Sequence, residues 1–242
     1  MSPTRRRSRR WLLILAVTAL LAAGATIAWE VLRWPDIGAL ATRNPPSTAF
    51  IDQYRAREAA AGRRARVEWA WVTYGAIAPS LKRAVLVAED ISFFSHRGFD
   101  AGELRNAVER AIKDGTVPRG ASTITQQLAK NLWLSSSRNP LRKVKEAALT
   151  WQLERRLTKR RILELYLNVA EFGPGVYGAE AASRHYFGKG AAALNDDEAA
   201  QLAASLPSPR RWHPGAESAG YRRYVETIVR RMAKAEFPAK LL

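Results

Sequence analysis

The longest apolar run of the chain lies close to its start. No charged residue interrupts the sequence from Trp11 to Trp29, and Glu30 ends the run. About 20 such residues suffice for a helix to cross a bilayer. Five arginines stand among the ten residues before the run, and tryptophans stand at both of its ends, a pattern typical of a membrane helix whose N-terminus stays in the cytoplasm. We therefore predict a cytoplasmic basic tail at 1–10 and a transmembrane helix at 11–32.

A cleaved signal peptide is the alternative for the same segment. Ala23-Gly24-Ala25 has the small residues that a signal peptidase site requires. A retained anchor is favoured because the apolar run continues past that site. Under either interpretation the rest of the chain, from about residue 33 onward, is exported.

Beyond the anchor, the apolar positions follow mainly a helical period. Residues 33–66 hold several prolines and an Ala/Arg-rich stretch, which predicts a juxtamembrane connector with one helix near 49–62. The domain that follows, 67–236, has apolar residues three and four positions apart. Its predicted helices begin at Pro79, after Thr123, at 140–157, at 159–169 and after Asn195.

Strand patterns are scarce in this domain. The segment VEWAWVTY at 67–74 is the best strand candidate, and FGPGVYG at 172–178 is interpreted as a glycine-rich joint between helices. The predicted fold class is therefore mainly α.

Composition excludes several kinds of chemistry. The 242 residues include no cysteine and three separated histidines, so the sequence supports neither a thiolate nucleophile nor a disulfide framework nor a histidine-built metal site. The chain has 39 Lys and Arg against 22 Asp and Glu, a formal net charge of +17. This balance predicts an anionic partner: nucleic acid, an acidic membrane surface or a phosphorylated substrate. Export of the domain argues against nucleic acid.

Three enzyme signatures are absent from the sequence. It contains no Ser-x-x-Lys of acyl-serine enzymes, no GxxxxGK[ST] phosphate loop and no Asp-x-Asp pair. Carboxyl groups of the helical domain are therefore the candidates for chemistry, and glycosidic chemistry needs two of them in fixed positions.

The first candidate stretch is AEDISFFSHRGFD. Glu89 and Asp90 end a predicted apolar helix, and Phe93, Phe94 and His96 follow. A carboxylate at the edge of an aromatic, partly dry site has a raised pKa and can serve as a base. The alternative is a solvated helix end beside two core phenylalanines.

The second stretch, RGASTITQQLAKN at 119–131, places small hydroxyl residues, two adjacent amides and a Lys-Asn pair on one helix. The start of this helix offers free N–H groups and a positive dipole end to an anion. Amide side chains suit the hydroxyl and amide groups of sugars. The alternative is a polar helix face with an ordinary cap.

The third stretch is rich in cations. Arg142, Lys143, Lys145 and Glu146 share the opening turns of a predicted helix, and Arg138 lies just upstream. Such cations can hold a diphosphate by charge-assisted hydrogen bonds. The alternative is a solvated helix face with ion pairs along it.

Together these stretches resemble the signature blocks of the peptidoglycan glycosyltransferase family. This family comprises the transglycosylase domain of class A penicillin-binding proteins and its monofunctional, membrane-anchored forms. The blocks are EDxxFxxHxG from Glu89, GxSTITQQLxKN from Gly120, RKxxExxxxxxLE from Arg142, a block from Ile162 to Lys189 and another from Glu198 to Ala204. Because the acyl-serine motif is absent, the chain resembles the monofunctional biosynthetic enzyme.

The resemblance implies a lysozyme-like helical head lobe with a smaller jaw lobe against the membrane. It also implies that the growing glycan is transferred from its lipid diphosphate to the 4-hydroxyl of lipid II, the undecaprenyl-diphosphate disaccharide-pentapeptide. Glu89 is then the general base, and Glu146 assists on the donor side or orients the cations there. The remaining roles are diphosphate binding by Lys130, Arg138, Lys143 and Lys145, substrate binding by Ser122, Thr123, Gln126, Gln127 and Asn131, and support of the base by Asp90 and His96.

The same resemblance sets expectations for cofactors, location and partners. No cofactor is required, and Mg²⁺ or Mn²⁺ at the diphosphate is allowed. The expected location is the bacterial inner membrane, with a single span, a cytoplasmic N-terminus and a periplasmic catalytic domain. Expected partners are lipid II, the nascent glycan strand and cell-wall synthases of the elongation or division machinery.

Two rival functions differ in testable ways. A lytic, lysozyme-like enzyme also uses a catalytic glutamate. Its substrate has no diphosphate, so the cations around Lys130 would have no anionic group to bind. A membrane-tethered module that binds nucleic acid or cell wall through charge alone tolerates the loss of Glu89 and Glu146.

Overall fold

The computed structural model describes residues 11, 15, 17–18, 20–21, 24–25, 32–116, 120, 122–134, 140–238 and 241–242. The chain divides into two compact units, Met1–Asp36 and Ile37–Leu242. The predicted basic tail and much of the predicted membrane helix lie outside the described residues. Within the described ranges, no helix has the length and apolarity needed to span a membrane.

The second unit is mainly helical, as predicted. We number its helices α1 to α9 and its strands β1 to β3. The helices are α1 Ala49–Ala60, α2 Pro79–Glu89, α3 Ala101–Asp114, α4 Ile124–Trp133, α5 Pro140–Arg156, α6 Lys159–Val169, α7 Ala179–Phe187, α8 Asp196–Ser205 and α9 Ala219–Met232. The strands are β1 Glu68–Trp69, β2 Glu171–Gly173 and β3 Val176–Tyr177.

Side-chain caps explain where most of these helices begin. A residue with a short polar side chain precedes the first turn and accepts a hydrogen bond from a backbone N–H that the helix itself leaves unpaired. In α4 and α8 the cap is reciprocal, because Gln126 and Glu198 accept bonds from the N–H groups of Thr123 and Asn195. The capping residues are Thr48, Asp100, Thr123, Thr158, Asn195 and Ser218.

Two groups of helices form the core. Helix α4 packs against α1, α5 and α6, and α2 packs against α8 and α9. The fully buried side chains include Phe93, Leu128, Leu153 and Tyr166. The functional stretches come from both groups, since Glu89 ends α2, the amide stretch forms α4 and the cation stretch opens α5.

Helix α1 belongs to the same unit, although it falls in the segment interpreted as a connector. Its residue Ile51 is fully buried, and Tyr54 packs edge-on against Tyr177 of β3. Residues 37–66 therefore contribute to the core of the domain and do not serve only as a connector.

The small sheet corrects two predictions. The strand candidate at 67–74 is a strand only at Glu68–Trp69, and the glycine-rich joint FGPGVYG contains β3 and most of β2. The sheet order is β1-β3-β2, with β1 parallel and β2 antiparallel to β3. The buried Asn168 fixes β1 beside α6, because its side chain bonds the N–H and the carbonyl of Val72 and its carbonyl accepts from the Trp69 indole.

Candidate active site

Glu89 lies at the C-terminal end of α2 and faces α4. The side-chain N–H of Gln127 donates to its carboxylate at 2.6 Å. The hydroxyl of Tyr166 donates to the amide oxygen of Gln127 at 2.8 Å, which leaves the amide nitrogen directed at Glu89. Two buried helices, α4 and α6, thus fix the donor that holds the candidate base.

The surroundings of Glu89 favour its protonated form. Burial raises the pKa of the Glu89 carboxyl, and the neighbouring Asp90 raises it further, against the opposing effects of the Gln127 hydrogen bond and the Lys130 charge. The raised pKa predicted from the sequence is confirmed. A carboxylate whose pKa is moved toward neutral pH is suited to accept a proton from a hydroxyl.

Asp90 and His96 connect the loop after α2 to the start of α4. One oxygen of Asp90 lies 2.9 Å from Nε2 of His96, and the other accepts the backbone N–H of Ile124 at 2.9 Å. Because Nδ1 of His96 accepts the N–H of Gly98, Nε2 carries the proton and donates to Asp90. These bonds place Asp90 and His96 in the supporting position that the sequence suggests.

Gly98 permits the close approach of this loop to α5. Its φ is +89°, and a Cβ at this position would lie 2.8 Å from Cγ2 of Thr150 and 3.0 Å from Cγ of Glu154. The hydroxyl of Thr123 donates to the Gly98 carbonyl at 2.7 Å. The glycine of the first block is therefore required by backbone conformation and by space.

The two adjacent amides of α4 have different surroundings. Gln127 contacts Glu89 and lines a cavity, whereas the side chain of Gln126 accepts the N–H of Thr123 in the capping box and lines neither of the cavities described below. The structure thus gives Gln126 a capping role through its amide oxygen, and its predicted contact with substrate stays a prediction. Thr123 caps the same helix, and it lines the larger cavity together with the exposed Ser122.

A cluster of charged side chains lies beside Glu89. Glu146 is buried and accepts from Arg142 at 3.1 Å, and the ammonium of Lys143 contacts its other oxygen. Burial lowers the pKa of the Lys130 ammonium, Glu146 opposes this shift and Arg142 adds to it. The local field is therefore set by several cations around one buried carboxylate, an environment suited to an anionic ligand.

Arg142 belongs to the predicted cation stretch, but the family resemblance does not assign it to the diphosphate. Its Nε is buried and has no partner among the described residues, while its Nη1 bonds Glu146. The signal was available in the sequence, since Arg142 opens the same RKxxE block as Lys143. Lys145 is half-buried on the same turn, and Arg138 lies outside the described residues.

Residues of the candidate site line two cavities. The larger, about 680 Å³, is lined by Glu89, Asp90, Asp100, Ser122, Arg231 and others. The smaller, about 260 Å³, is lined by Gln127, Lys130, Asn131, Tyr166, Glu171, Arg210 and others. Glu89 thus lines one cavity, while its hydrogen-bond partner Gln127 lines the other.

One group of residues could in principle hold a metal ion. Single ligand atoms of Asp90, His96 and Asp100 lie within 4.8 Å of one another. Each of these side chains already has hydrogen-bond partners. Asp100 accepts from Ser92 and from the N–H of Glu103, and Asp90 and His96 are bonded as described above. In the cation cluster, both oxygens of Glu146 are bonded to Arg142 and Lys143, so this carboxylate offers no open position to a divalent metal.

These features fit an acid–base enzyme for an anionic substrate. A mostly buried carboxylate lines one cavity, and its hydrogen-bond partner lines a second cavity together with the cation Lys130. A family model described as transglycosylase matches residues 56–233. A "Biosynthetic peptidoglycan transglycosylase" of Chromobacterium violaceum is 43% identical over 94% of this chain and 97% of its own length. Proteins of the same description from Thiobacillus denitrificans, 45% identical over 95% of this chain and 97% of their own length, and from Laribacter hongkongensis, 46% identical over 81% and 86%, also match.

The chain therefore belongs to the transglycosylase family. The predicted enzyme class, a peptidoglycan glycosyltransferase, is confirmed at the level of the family, and the lytic alternative is not favoured.

Proposed function

We propose that this transglycosylase polymerises glycan strands from lipid II, with Glu89 as the general base between donor and acceptor. The observation that carries the proposal is that Glu89 lines the larger cavity, while its hydrogen-bond partner Gln127 lines the smaller cavity together with the cation Lys130. A polymerase must hold two glycan-bearing lipids at once, whereas hydrolysis needs one glycan and a water molecule.

The proposed step moves one proton and exchanges one bond. Glu89 takes the proton of the acceptor 4-hydroxyl while that oxygen attacks the anomeric carbon of the donor strand. The bond between this carbon and the diphosphate breaks with inversion, a β-1,4 bond forms, and undecaprenyl diphosphate leaves with the electron pair. A raised pKa at Glu89 helps this transfer, because it brings the base closer to the operating pH.

The cations are proposed to stabilise the charge that develops on the leaving diphosphate. Lys130 is half-buried, so its charge is less screened than that of a surface lysine. Arg142 and Lys143 are held by Glu146, which we infer orients them rather than transferring a proton itself. Lys145 and Arg138 are assigned to the same diphosphate, and Asn131 and Gln127 to the donor saccharide.

A size-resolved assay tests the proposed function directly. The full chain in detergent is incubated with labelled lipid II, and the products are separated by length. Long polymer that muramidase degrades supports the proposal. Shortening of preformed strands without new polymer would instead establish the lytic activity. It would also contradict the assignment of the cation cluster to a diphosphate.

The membrane setting is also proposed, from two observations. The uncharged run at 11–29 follows an arginine-rich tail, which favours a single-pass anchor in the bacterial inner membrane with the catalytic domain in the periplasm. Helix α3 separately exposes Leu104, Val108 and Ile112 on one stripe, at 54%, 38% and 77%, while the small Ala107 and Ala111 face the interior. Exposed stripes of this kind mark contact with a lipid surface or partner. Cell-wall synthases remain predicted partners.

Single-cysteine labelling can detect lipid contact by α3, because the chain has no native cysteine. An environment-sensitive fluorophore on Ile112→Cys, in the protein reconstituted into liposomes, is expected to be quenched by quencher-bearing lipids. The same label on Glu226→Cys, an exposed position of α9, serves as the control and should be quenched less. Equal quenching at both positions would contradict contact through α3.

The hydrogen bond from Gln127 predicts a shift in pH dependence. This bond lowers the pKa of Glu89, so its loss in Gln127→Ala raises that pKa further. The deprotonated base then forms only at higher pH, and the acid limb of the pH profile of kcat/KM for lipid II is expected to move upward. Initial polymerisation rates measured across pH check this prediction.

The neighbouring amide supplies a matched control. Gln126→Ala removes half of the capping box of α4 and is expected to cost about 1 kcal/mol of stability while leaving the acid limb in place. An acid limb that stays unchanged in Gln127→Ala would show that the hydrogen bond does not tune the base.

A further inference from the structure

The mostly buried carboxylates of the domain differ in how many hydrogen-bond partners they have. Most of them have at least two partners each, as expected for charges removed from water. They include Glu58, Asp90, Glu146, Glu154, Glu164, Glu180 and Glu198. Two others, Glu89 and Glu171, have one partner each among the described residues. Glu89 is the candidate base, so the second exception points to a further functional group.

Glu171 forms part of the wall of the smaller cavity. It is the first residue of β2, pairs with Tyr177 of β3, and is 8% exposed. The same cavity is lined by Gln127, Lys130 and Tyr166, the groups that hold or neighbour the base. The carboxylate therefore shares one cavity with the side chains assigned to the donor strand.

The single partner of Glu171 leaves much of its hydrogen-bonding capacity unused. Nε of Arg210 lies 3.4 Å from one carboxylate oxygen, and the Arg210 side chain is 53% exposed. Burial raises the pKa of Glu171, and the charges of Arg210 and Arg57 only partly oppose this shift. Arg210 lies in the segment after α8, which backbone bonds to Ser208 fold into a turn. A long contact with an exposed guanidinium compensates poorly for the burial of a carboxylate.

A neutral hydrogen-bond donor is the ligand that fits this position. An ionised carboxylate accepts several hydrogen bonds and can hold hydroxyl or amide N–H groups. Arg210, Arg57 and Lys130 already supply positive charge in or near the cavity, which disfavours a further ammonium. We propose that Glu171 is an additional substrate-binding residue that accepts hydrogen bonds from hydroxyl or acetamido N–H groups of the donor saccharide. This inference rests on the proposed function, because it assigns the smaller cavity to the donor strand.

The test is the kinetics of Glu171→Gln in the full-length protein, with lipid II as the probe. Glutamine keeps the shape but weakens the acceptor, and loss of a hydrogen bond to a charged group corresponds to about a tenfold rise in KM. The value of kcat is expected to stay close to that of the wild type, because Glu171 has no part in proton transfer. Glu68→Gln, in strand β1 of the same sheet and outside both cavities, is the control for the loss of one carboxylate.

Three outcomes would overturn the inference. An unchanged KM in Glu171→Gln would remove Glu171 from substrate binding, and a variant that fails to fold would show a structural role. The third outcome concerns a different ligand. If Glu171→Gln raised the KM for lipid II but not for lipid II whose stem-peptide amine is acetylated, Glu171 would bind an ammonium group and not the donor saccharide. A different result would contradict the proposed function itself, namely the absence of any polymer from lipid II with the wild-type protein.

Discussion

Replacing Glu89 with glutamine is expected to slow polymerisation of lipid II by at least about a hundredfold, the usual scale for the loss of general base catalysis. Binding of lipid II is expected to persist, because the cations and the amide of Gln127 remain. Turnover of labelled lipid II by the purified full chain checks the rate. Near-normal turnover would contradict the assignment of Glu89 as the general base.

The stability of Glu89→Gln shows whether Glu89 has a catalytic or a structural role. A carboxyl whose pKa is raised by folding binds its proton more tightly in the folded state, so the wild type loses stability as the pH rises from the ordinary glutamate pKa through the raised one. Glutamine removes this cost, and the Tm of Glu89→Gln at neutral pH should equal or exceed that of the wild type. Glu103→Gln, at a half-exposed carboxylate lining the larger cavity, is the control and should retain turnover.

Lys130→Met is expected to reduce polymerisation by about a hundred- to a thousandfold, comparable to the removal of one preorganised charge-stabilising group. The loss has two causes. The leaving diphosphate loses a half-buried cation, and the pKa of Glu89 rises because Lys130 no longer favours its ionised form. Single-turnover rates with labelled lipid II measure the first cause, and the pH profile measures the second.

Two further variants make the Lys130 prediction specific. Lys130→Arg keeps the charge and should recover part of the rate, whereas Lys234→Met removes one exposed charge from outside both cavities and should change little. If Lys130→Met polymerised lipid II as fast as Lys234→Met, the diphosphate would have to be bound elsewhere.

Much of the fold follows from local sequence signals. Caps such as Thr123 and Asn195 define helix starts that the structure confirms, because they satisfy N–H groups within a few residues of themselves. Helices α3, α7 and α9 are not among the predicted elements. The apolar positions of α3 do follow a helical period, so the sequence carries a signal for this helix. Only the structure shows that its alanines are buried and that Leu104 and Ile112 are exposed.

The strands could not be predicted for a different reason. Glu68 pairs with Val176, more than a hundred positions later, and each strand has only two or three residues. Period-two patterns are not detectable in so short a segment, and the Pro and Gly residues of the joint at 172–178 indicate a turn. Long-range pairing, not local propensity, makes this sheet.

In the candidate site as well, local sequence motifs identify some residues, whereas long-range contacts determine the others. The motif blocks identify Glu89, Lys130 and Glu146, which the fold brings together from three helices. Sequence alone could not distinguish Gln126 from Gln127, because neighbouring residues on a helix differ by about 100° in direction and only the fold decides which one faces the base. The contact between Glu171 and Arg210 joins residues that no local pattern relates.

The bonds made by Asp90 have a consequence for the chemistry. Although it is adjacent to Glu89 in the sequence, Asp90 is tied at both oxygens, to the imidazole of His96 and to the start of α4. It cannot turn toward a substrate without uncapping that helix end. Asp90 is therefore not a substitute proton acceptor for its neighbour, so the residual rate of a variant lacking Glu89 would not include a contribution from Asp90 as base.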